Sequence, residues 1–171
     1  ELEKALKNAD KSLLSEDRAF FMPYLFGGPA GTTPGASLIS ARGWHTQSDI
    51  NASVIEGIVF NHKHHFDMLS EKVDTSGRII ATGGSMQSDI WAQLVADVFN
   101  RDIEISDADE SGARGLAILA GVSQGIYSSI EDGISQTVST RIIFKPNPNH
   151  VPFFAQRYKK YREYAKNLTN V

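Results

Sequence analysis

The sequence predicts one α/β domain over residues 1–171, with short apolar strands alternating with amphipathic helices. Apolar residues recur at helical spacing in several segments, and short β-branched runs lie between turn-forming residues. A chain of 171 residues is also long enough to bury a proper core. These three observations favour a layered fold with helices packed on a sheet.

The first quarter of the chain predicts a helix, an apolar run, a loop and a strand. The helix is expected over residues 2–9, and the buried apolar run over residues 19–26. Residues 27–35 hold four glycines and two prolines, so they should form a loop. A short strand is predicted over residues 37–41.

The middle of the chain predicts two long helices around a strand. Asp49 is expected to cap the first helix, which carries apolar residues at helical spacing from Ile50 to Leu69. A turn at residues 75–77 leads into a strand over residues 78–82. The second helix carries Ile90, Trp91, Leu94, Val95 and Val98 at helical spacing.

The last part of the chain predicts two strands and three helices. A strand is expected at residues 103–105 and another at residues 140–144. Between them, residues 112–125 are apolar nearly all round, which predicts a deeply buried helix. A shorter helix over residues 130–138 should be capped by Ser128 or Ser129. A terminal helix is predicted from Pro152.

Composition excludes several classes of protein. The net charge is −3 and the isoelectric point near 5.9, which argues against a nucleic-acid binder or an anionic-membrane binder. There are no cysteines, so disulfides, thiolate metal sites and cysteine nucleophiles are ruled out. No stretch resembles a transmembrane span, and a cytoplasmic location is expected by default.

The most informative segment is the turn Gly83-Gly84-Ser85, which follows a short strand and precedes a helix. Unpaired backbone N–H groups and the positive end of a helix dipole favour an anion, typically a phosphate, at such a point. Glycine lets a ligand approach the backbone closely. The alternative is a plain strand-to-helix connector.

Three sequence blocks resemble the carboxyl-terminal domain of the FGGY carbohydrate kinases, the sugar kinases that include xylulokinase, gluconokinase and glycerol kinase. Residues 44–58 are similar to the family pattern WHTRADLxxAxxEG. Residues 82–98 are similar to GGGARSxxWxQxxADV, and residues 110–122 to ExxALGAAxLAAV. The blocks occur in the family's order and spacing, and the tail over residues 158–168 is also family-like.

The resemblance implies a ribonuclease-H-like, actin-like ATPase domain with a mixed sheet flanked by helices. It implies ATP and magnesium as cofactors and a small sugar as substrate, held in a cleft between two domains. The catalytic base and most sugar contacts are expected in an amino-terminal domain of the same polypeptide. The chain starts at Glu1 in what reads like the middle of a helix, so a fragment, incomplete at the amino-terminal edge of the fold, is expected.

The form of the block at residues 44–46 resembles the xylulose-type branch, which implies a pentulose substrate. A non-catalytic actin-like nucleotide-binding or sensor module remains the alternative, and a homodimer is left open. No catalytic residue is expected in this chain. The turn should contact the ribose and phosphates of the nucleotide, with its base near the 112–125 helix. The residues expected to contact the nucleotide are Gly83, Gly84, Ser85, Ser88, Asp89 and Gly112.

Some residues depart from the family pattern or have a simpler explanation. Ser85 stands where the family usually has a third glycine, and Arg114 where an apolar residue is usual. Glu56 is expected to accept hydrogen bonds structurally rather than to act in catalysis. The acidic link at residues 107–110 is expected to be a solvated loop rather than a magnesium site. The histidines His62, His64 and His65 have no supporting metal-binding motif, so no metal site is expected there.

Overall fold

The computed structural model describes residues 2–28, 35–107 and 110–169. The helices are α1 (Leu2–Asp10), α2 (Gln47–Ser70), α3 (Asp89–Phe99), α4 (Ser111–Ser123), α5 (Ile130–Thr137) and α6 (Val151–Thr169). The strands are β1 (Phe20–Met22), β2 (Ser37–Ile39), β3 (Ile79–Ala81), β4 (Ile103–Ser106) and β5 (Thr140–Phe144).

The strands form two small sheets. β1 and β2 pair antiparallel, with Phe21 opposite Leu38. The second sheet has the order β3-β4-β5 and is mixed, because β3 and β4 run parallel while β5 runs antiparallel to β4. Helix α3 connects the two parallel strands. The predicted mixed sheet with flanking helices is therefore confirmed.

The core lies where α1, α2, α3 and α6 meet the strands. Phe60 of α2, Leu94 of α3 and Tyr161 of α6 are among its buried side chains. The ring of Phe60 packs against Tyr161 with centroids 5.4 Å apart. Gly57 lets α2 lie directly on β1, because an added Cβ would stand 2.2 Å from the carbonyl oxygen of Phe21. The predicted apolar faces of the long helices thus form the core.

The buried apolar run predicted near the start of the chain is wrong. Residues 19–26 do not form one buried run, since Leu25 is 70% exposed and Phe26 fully exposed. The strand ends before Pro23, and Gly27 then turns the chain at a φ of 108°. Most of the predicted 27–35 loop lies outside the described residues.

Helix α2 is capped by Thr46 and not by Asp49. The Thr46 hydroxyl accepts from the Asp49 backbone N–H, and the Asp49 carboxylate accepts from the Thr46 backbone N–H. Asp49 is the third residue of the helix, so the two side chains satisfy each other's backbone donors in a capping box.

Helix α4 is not deeply buried, contrary to the prediction. Only Ile118 and Gly121 are buried, and Leu116 is 70% exposed. Because apolar residues surround the helix on all sides, the sequence does not show which face packs against the rest of the domain. The helix contacts mainly α5. The ring of Tyr127 lies against Gly121 and Gly133 and fills this joint. The rest of the helix presents an apolar surface.

Candidate functional site

The candidate site lies at one edge of the mixed sheet. β3 and β4 are parallel and in register, with Ala81 opposite Ile105, so their carboxyl ends meet at the same edge. Gly83 and Gly84 follow β3 there, and Gly112 lies in the first turn of α4, which follows β4. Ligands of open α/β sheets bind beyond the carboxyl ends of parallel strands. The topology thus brings the two predicted glycine segments to the same side.

The glycine turn has a backbone that requires glycine at one position. Gly83 has φ +107° and ψ 168°, which other residues rarely adopt. It precedes a short 3₁₀ helix over Gly84–Gln87, in which the Met86 N–H donates to the Gly83 carbonyl at 3.0 Å. The turn does not lead directly into α3 as predicted, because the 3₁₀ helix that begins at Gly84 lies between Gly83 and the α3 amino terminus.

The glycines at this edge face open space. A Cβ added at Gly83, Gly84 or Gly112 would meet no atom within 4 Å. By contrast, a Cβ at Gly57 or Gly121 would collide with its neighbours. Internal packing therefore explains why Gly57 and Gly121 must be glycine. It does not explain the glycines at the edge of the sheet. Bare backbone facing open space is the arrangement that admits close approach of a ligand.

Helix α3 begins at Asp89 after the N-cap Ser88. The Ser88 side chain makes no capping hydrogen bond, so the first backbone N–H groups of α3 lack the usual side-chain acceptor. Asp89 lies in the first turn, where the helix dipole favours a carboxylate. Ser85 is part of the preceding 3₁₀ helix. Nucleotide binding by all six predicted residues stays a prediction.

Asp107 fixes the start of α4, a role that sequence reasoning missed. Its carboxylate accepts from the Ser139 hydroxyl at 2.5 Å and from Arg114 Nη1 at 2.8 Å. These bonds, the one from Ser139 foremost, hold the pKa of Asp107 below its ordinary value. Arg114 also donates to the Thr137 carbonyl at 2.6 Å. The unusual arginine therefore joins α4 to α5 and to the residue that follows β4, and Asp107 is more than a solvated loop residue.

A shallow depression lies beside the glycine turn. Arg141, on β5, was not noticed in the sequence because nothing distinguishes it locally from any exposed strand residue. Only the pairing of β5 with β4 brings it to this edge. The residues that line the depression are Thr82, Gly83, Met86, Gln87, Ile105, Ser106 and Arg141.

Glu56 lies away from this edge, in the core, and is 1% exposed. Arg18 Nη2 donates to its Oε1 at 2.9 Å, and Arg157 Nη2 donates to its Oε2 at 2.7 Å. Both arginines also bind backbone carbonyls of residues 13–19. These contacts support the structural role predicted for Glu56.

The histidines His62, His64 and His65 all lie on α2. Burial is the main cause that lowers the pKa of His62 and of His64. Within residues 2–28, 35–107 and 110–169, no group of three histidine or acidic side chains is placed to hold a metal ion.

None of the helices in the described part of the chain is long and apolar enough to cross a membrane.

Comparison with solved structures identifies the class of fold. The crystal structure of gluconate kinase from Lactobacillus acidophilus superposes on 99% of the chain with a TM-score of 0.85 and 26% identity, using 35% of its own chain. The domain therefore has the actin-like ATPase fold of the sugar kinases, as predicted.

Sequence comparison identifies the family. Residues 4–124 match the model of the FGGY family of carbohydrate kinases, C-terminal domain, and the chain belongs to this family. It is 27% identical to L-xylulose/3-keto-L-gulonate kinase of Escherichia coli (strain K12), over 84% of the chain and 29% of that protein. It is 30% identical to a xylulose kinase of Staphylococcus epidermidis, over 96% of the chain and 34% of that protein. The chain thus spans about a third of the length of these relatives.

Proposed function

We propose that this chain is the nucleotide-binding half of an ATP-dependent carbohydrate kinase. The complete enzyme would transfer the γ-phosphate of ATP to a sugar hydroxyl. The observation that carries the proposal is the open space beside Gly83, Gly84 and Gly112 at the carboxyl edge of two parallel strands. Xylulose kinases among the relatives favour a pentulose such as xylulose as the acceptor.

The predicted site residues divide by chemistry. The backbone N–H groups of Gly84 and Ser85 suit phosphate oxygens, because they can approach an anion without steric hindrance. Asp89 carries the wrong charge for phosphate, so a ribose hydroxyl is its expected partner. Gly112 would leave room for the base beside α4. The Cβ of Ser85 reduces the space that a third glycine would leave.

Magnesium is proposed to come with the nucleotide. Bound there, it would neutralise charge on the phosphates, which usually supply several of its ligands. Asp107 is a poor candidate ligand because Ser139 and Arg114 already occupy its oxygens. This chain would then contribute backbone donors and positioning rather than a metal cage.

The sugar and the catalytic base are proposed to lie on an amino-terminal domain of the same polypeptide. Two features of the described residues support this. β3 pairs only with β4, so its other edge is open to a further strand. Ile80 and Ile143, which both flank Glu104 in the strand register, are exposed on the open face of the sheet. Closure of two domains would exclude water, which competes as the phosphoryl acceptor.

An ADP-release assay tests this division of roles. The complete kinase polypeptide should turn over with one sugar of a panel that includes xylulose, L-xylulose, ribulose and gluconate. The 171-residue chain by itself should bind ATP and give no sugar-dependent ADP. Turnover by the chain alone would contradict the placement of the base, and a complete enzyme that binds ATP without any turnover would favour a sensor module.

A further inference from the structure

We propose that Arg141 contacts the phosphate groups of the bound nucleotide. The inference rests on the proposed function and adds a residue from outside the blocks that resemble the family. It concerns the guanidinium at the depression beside the glycine turn, where a cation would meet the anionic part of the ligand.

A β-bulge brings Arg141 to the edge of the site. Ile105 pairs with Ile142, but the next residue, Ser106, pairs with Thr140, so Arg141 has no partner in the ladder. An extra residue of this kind redirects its side chain, and such bulges are frequent next to active sites. The side chain of Arg141 reaches across to the turn, with Nη2 3.5 Å from the carbonyl oxygen of Met86.

The charges at this edge leave a role for Arg141. A nucleotide carries several negative charges, and the edge already holds the carboxylates of Asp89 and Asp107. The positive charge of Arg114 is already balanced by Asp107, to which it donates a hydrogen bond at 2.8 Å. The hydrogen bond described for Arg141 is long and goes to a neutral carbonyl. Its guanidinium is exposed and has donors available for phosphate oxygens.

The arrangement of donors is consistent with phosphate. A guanidinium can bind a phosphate through two parallel N–H bonds, which makes the contact specific as well as attractive. The N–H groups of the 3₁₀ helix begin next to Gly83, which lines the same depression as Arg141. Backbone donors of the 3₁₀ helix and the cation on β5 would therefore meet the ligand from two sides.

Titration calorimetry of the chain with ATP, ADP and adenosine, each measured separately, tests the inference. Arg141→Gln should weaken ATP and ADP binding by about tenfold or more, as expected for loss of a charge-assisted hydrogen bond. Adenosine binding should not change, because adenosine has no phosphate. Arg162→Gln is the matched control, since Arg162 is an exposed arginine on α6 that contacts Asp67 and Tyr158.

The possible outcomes separate this inference from the proposed function. Unchanged ATP binding by Arg141→Gln, or equal losses for ATP and adenosine, would overturn the phosphate contact and leave nucleotide binding intact. A wild-type chain that binds none of the three ligands would overturn the proposed function together with this inference. Thermal melts of both variants should match the wild type, because both side chains are exposed.

Discussion

Arg157 and Glu56 are joined by three hydrogen bonds although they lie 101 residues apart in the chain. Arg157 Nε donates to Oε1 at 2.8 Å, and Nη2 donates to Oε2 at 2.7 Å. The pair ties the terminal helix α6 to the middle of α2. Arg18 joins the same carboxylate from the segment before β1. One buried carboxylate therefore holds three parts of the chain together.

Glu56→Gln should strongly destabilise the chain. The substitution leaves the guanidinium groups of Arg18 and Arg157 buried without a counter-charge, which typically costs about 3–5 kcal/mol in free energy of unfolding. Urea denaturation measures this loss. Glu163→Gln, an exposed glutamate on α6, is the control and should change stability little. Equal stability of the two variants would show that the buried network contributes nothing.

Two glycines of α4 should respond in opposite directions to alanine. An added Cβ at Gly121 would stand 2.6 Å from the ring of Tyr127, so Gly121→Ala should cost about 1–3 kcal/mol. A Cβ at Gly115 would meet nothing within 4 Å, and Gly115→Ala should stabilise the helix by up to about 1 kcal/mol. Thermal melts of both variants check the prediction. A stabilising Gly121→Ala would mean that α4 and α5 do not pack around this tyrosine.

The capping box of α2 should make stability depend on pH in acid. The hydroxyl and backbone N–H of Thr46 hold the pKa of Asp49 below its ordinary value of 3.8. Because the folded pKa is the lower one, this contribution is present above about pH 4 and is lost as the pH falls through the folded pKa.

Thr46→Ala removes one side of the capping box and should cost about 1 kcal/mol at neutral pH. The difference from the wild type should shrink as the pH falls through the lowered pKa of Asp49, where its carboxylate becomes protonated. Thr46→Ser keeps the oxygen and serves as the control. Denaturation curves at several pH values measure both effects, and a constant difference across the acid range would exclude Asp49 as the cause.

Elements with local signals could be predicted from sequence. Ser129, one of the two predicted caps, accepts from the Asp132 N–H at the start of α5, and β5 has the predicted bounds. The candidate turn was identified from Gly83 and Gly84, which follow a predicted strand. In these cases neighbouring residues determine the structure, so a single sequence contains the relevant information.

Features that depend on distant residues could not be predicted. The exposure of Leu116 depends on which elements pack against α4, and an all-apolar helix sequence does not show which of its faces will be covered. Arg141 reaches the site only because a bulge shifts its register against β4. The arginine partners of Glu56 lie 38 and 101 residues away. The sequence located the glycine turn but not the 3₁₀ helix that separates it from α3.

Nucleotide binding by Gly84→Val tests the central claim most directly. Gly84 is the better choice than Gly83, whose positive φ would add backbone strain to any substitution. A Cβ added at Gly84 would meet no atom within 4 Å, so a valine there would extend into the space proposed for the ligand. Gly43→Val is the matched control, because Gly43 also faces open space but lies in the loop before α2.

Titration calorimetry with ATP compares the wild type with these two variants. We predict that Gly84→Val stays folded and binds ATP about tenfold more weakly or worse, while Gly43→Val binds it as the wild type does. A folded Gly84→Val that binds ATP with wild-type affinity would contradict the proposal that the open glycine turn holds the nucleotide.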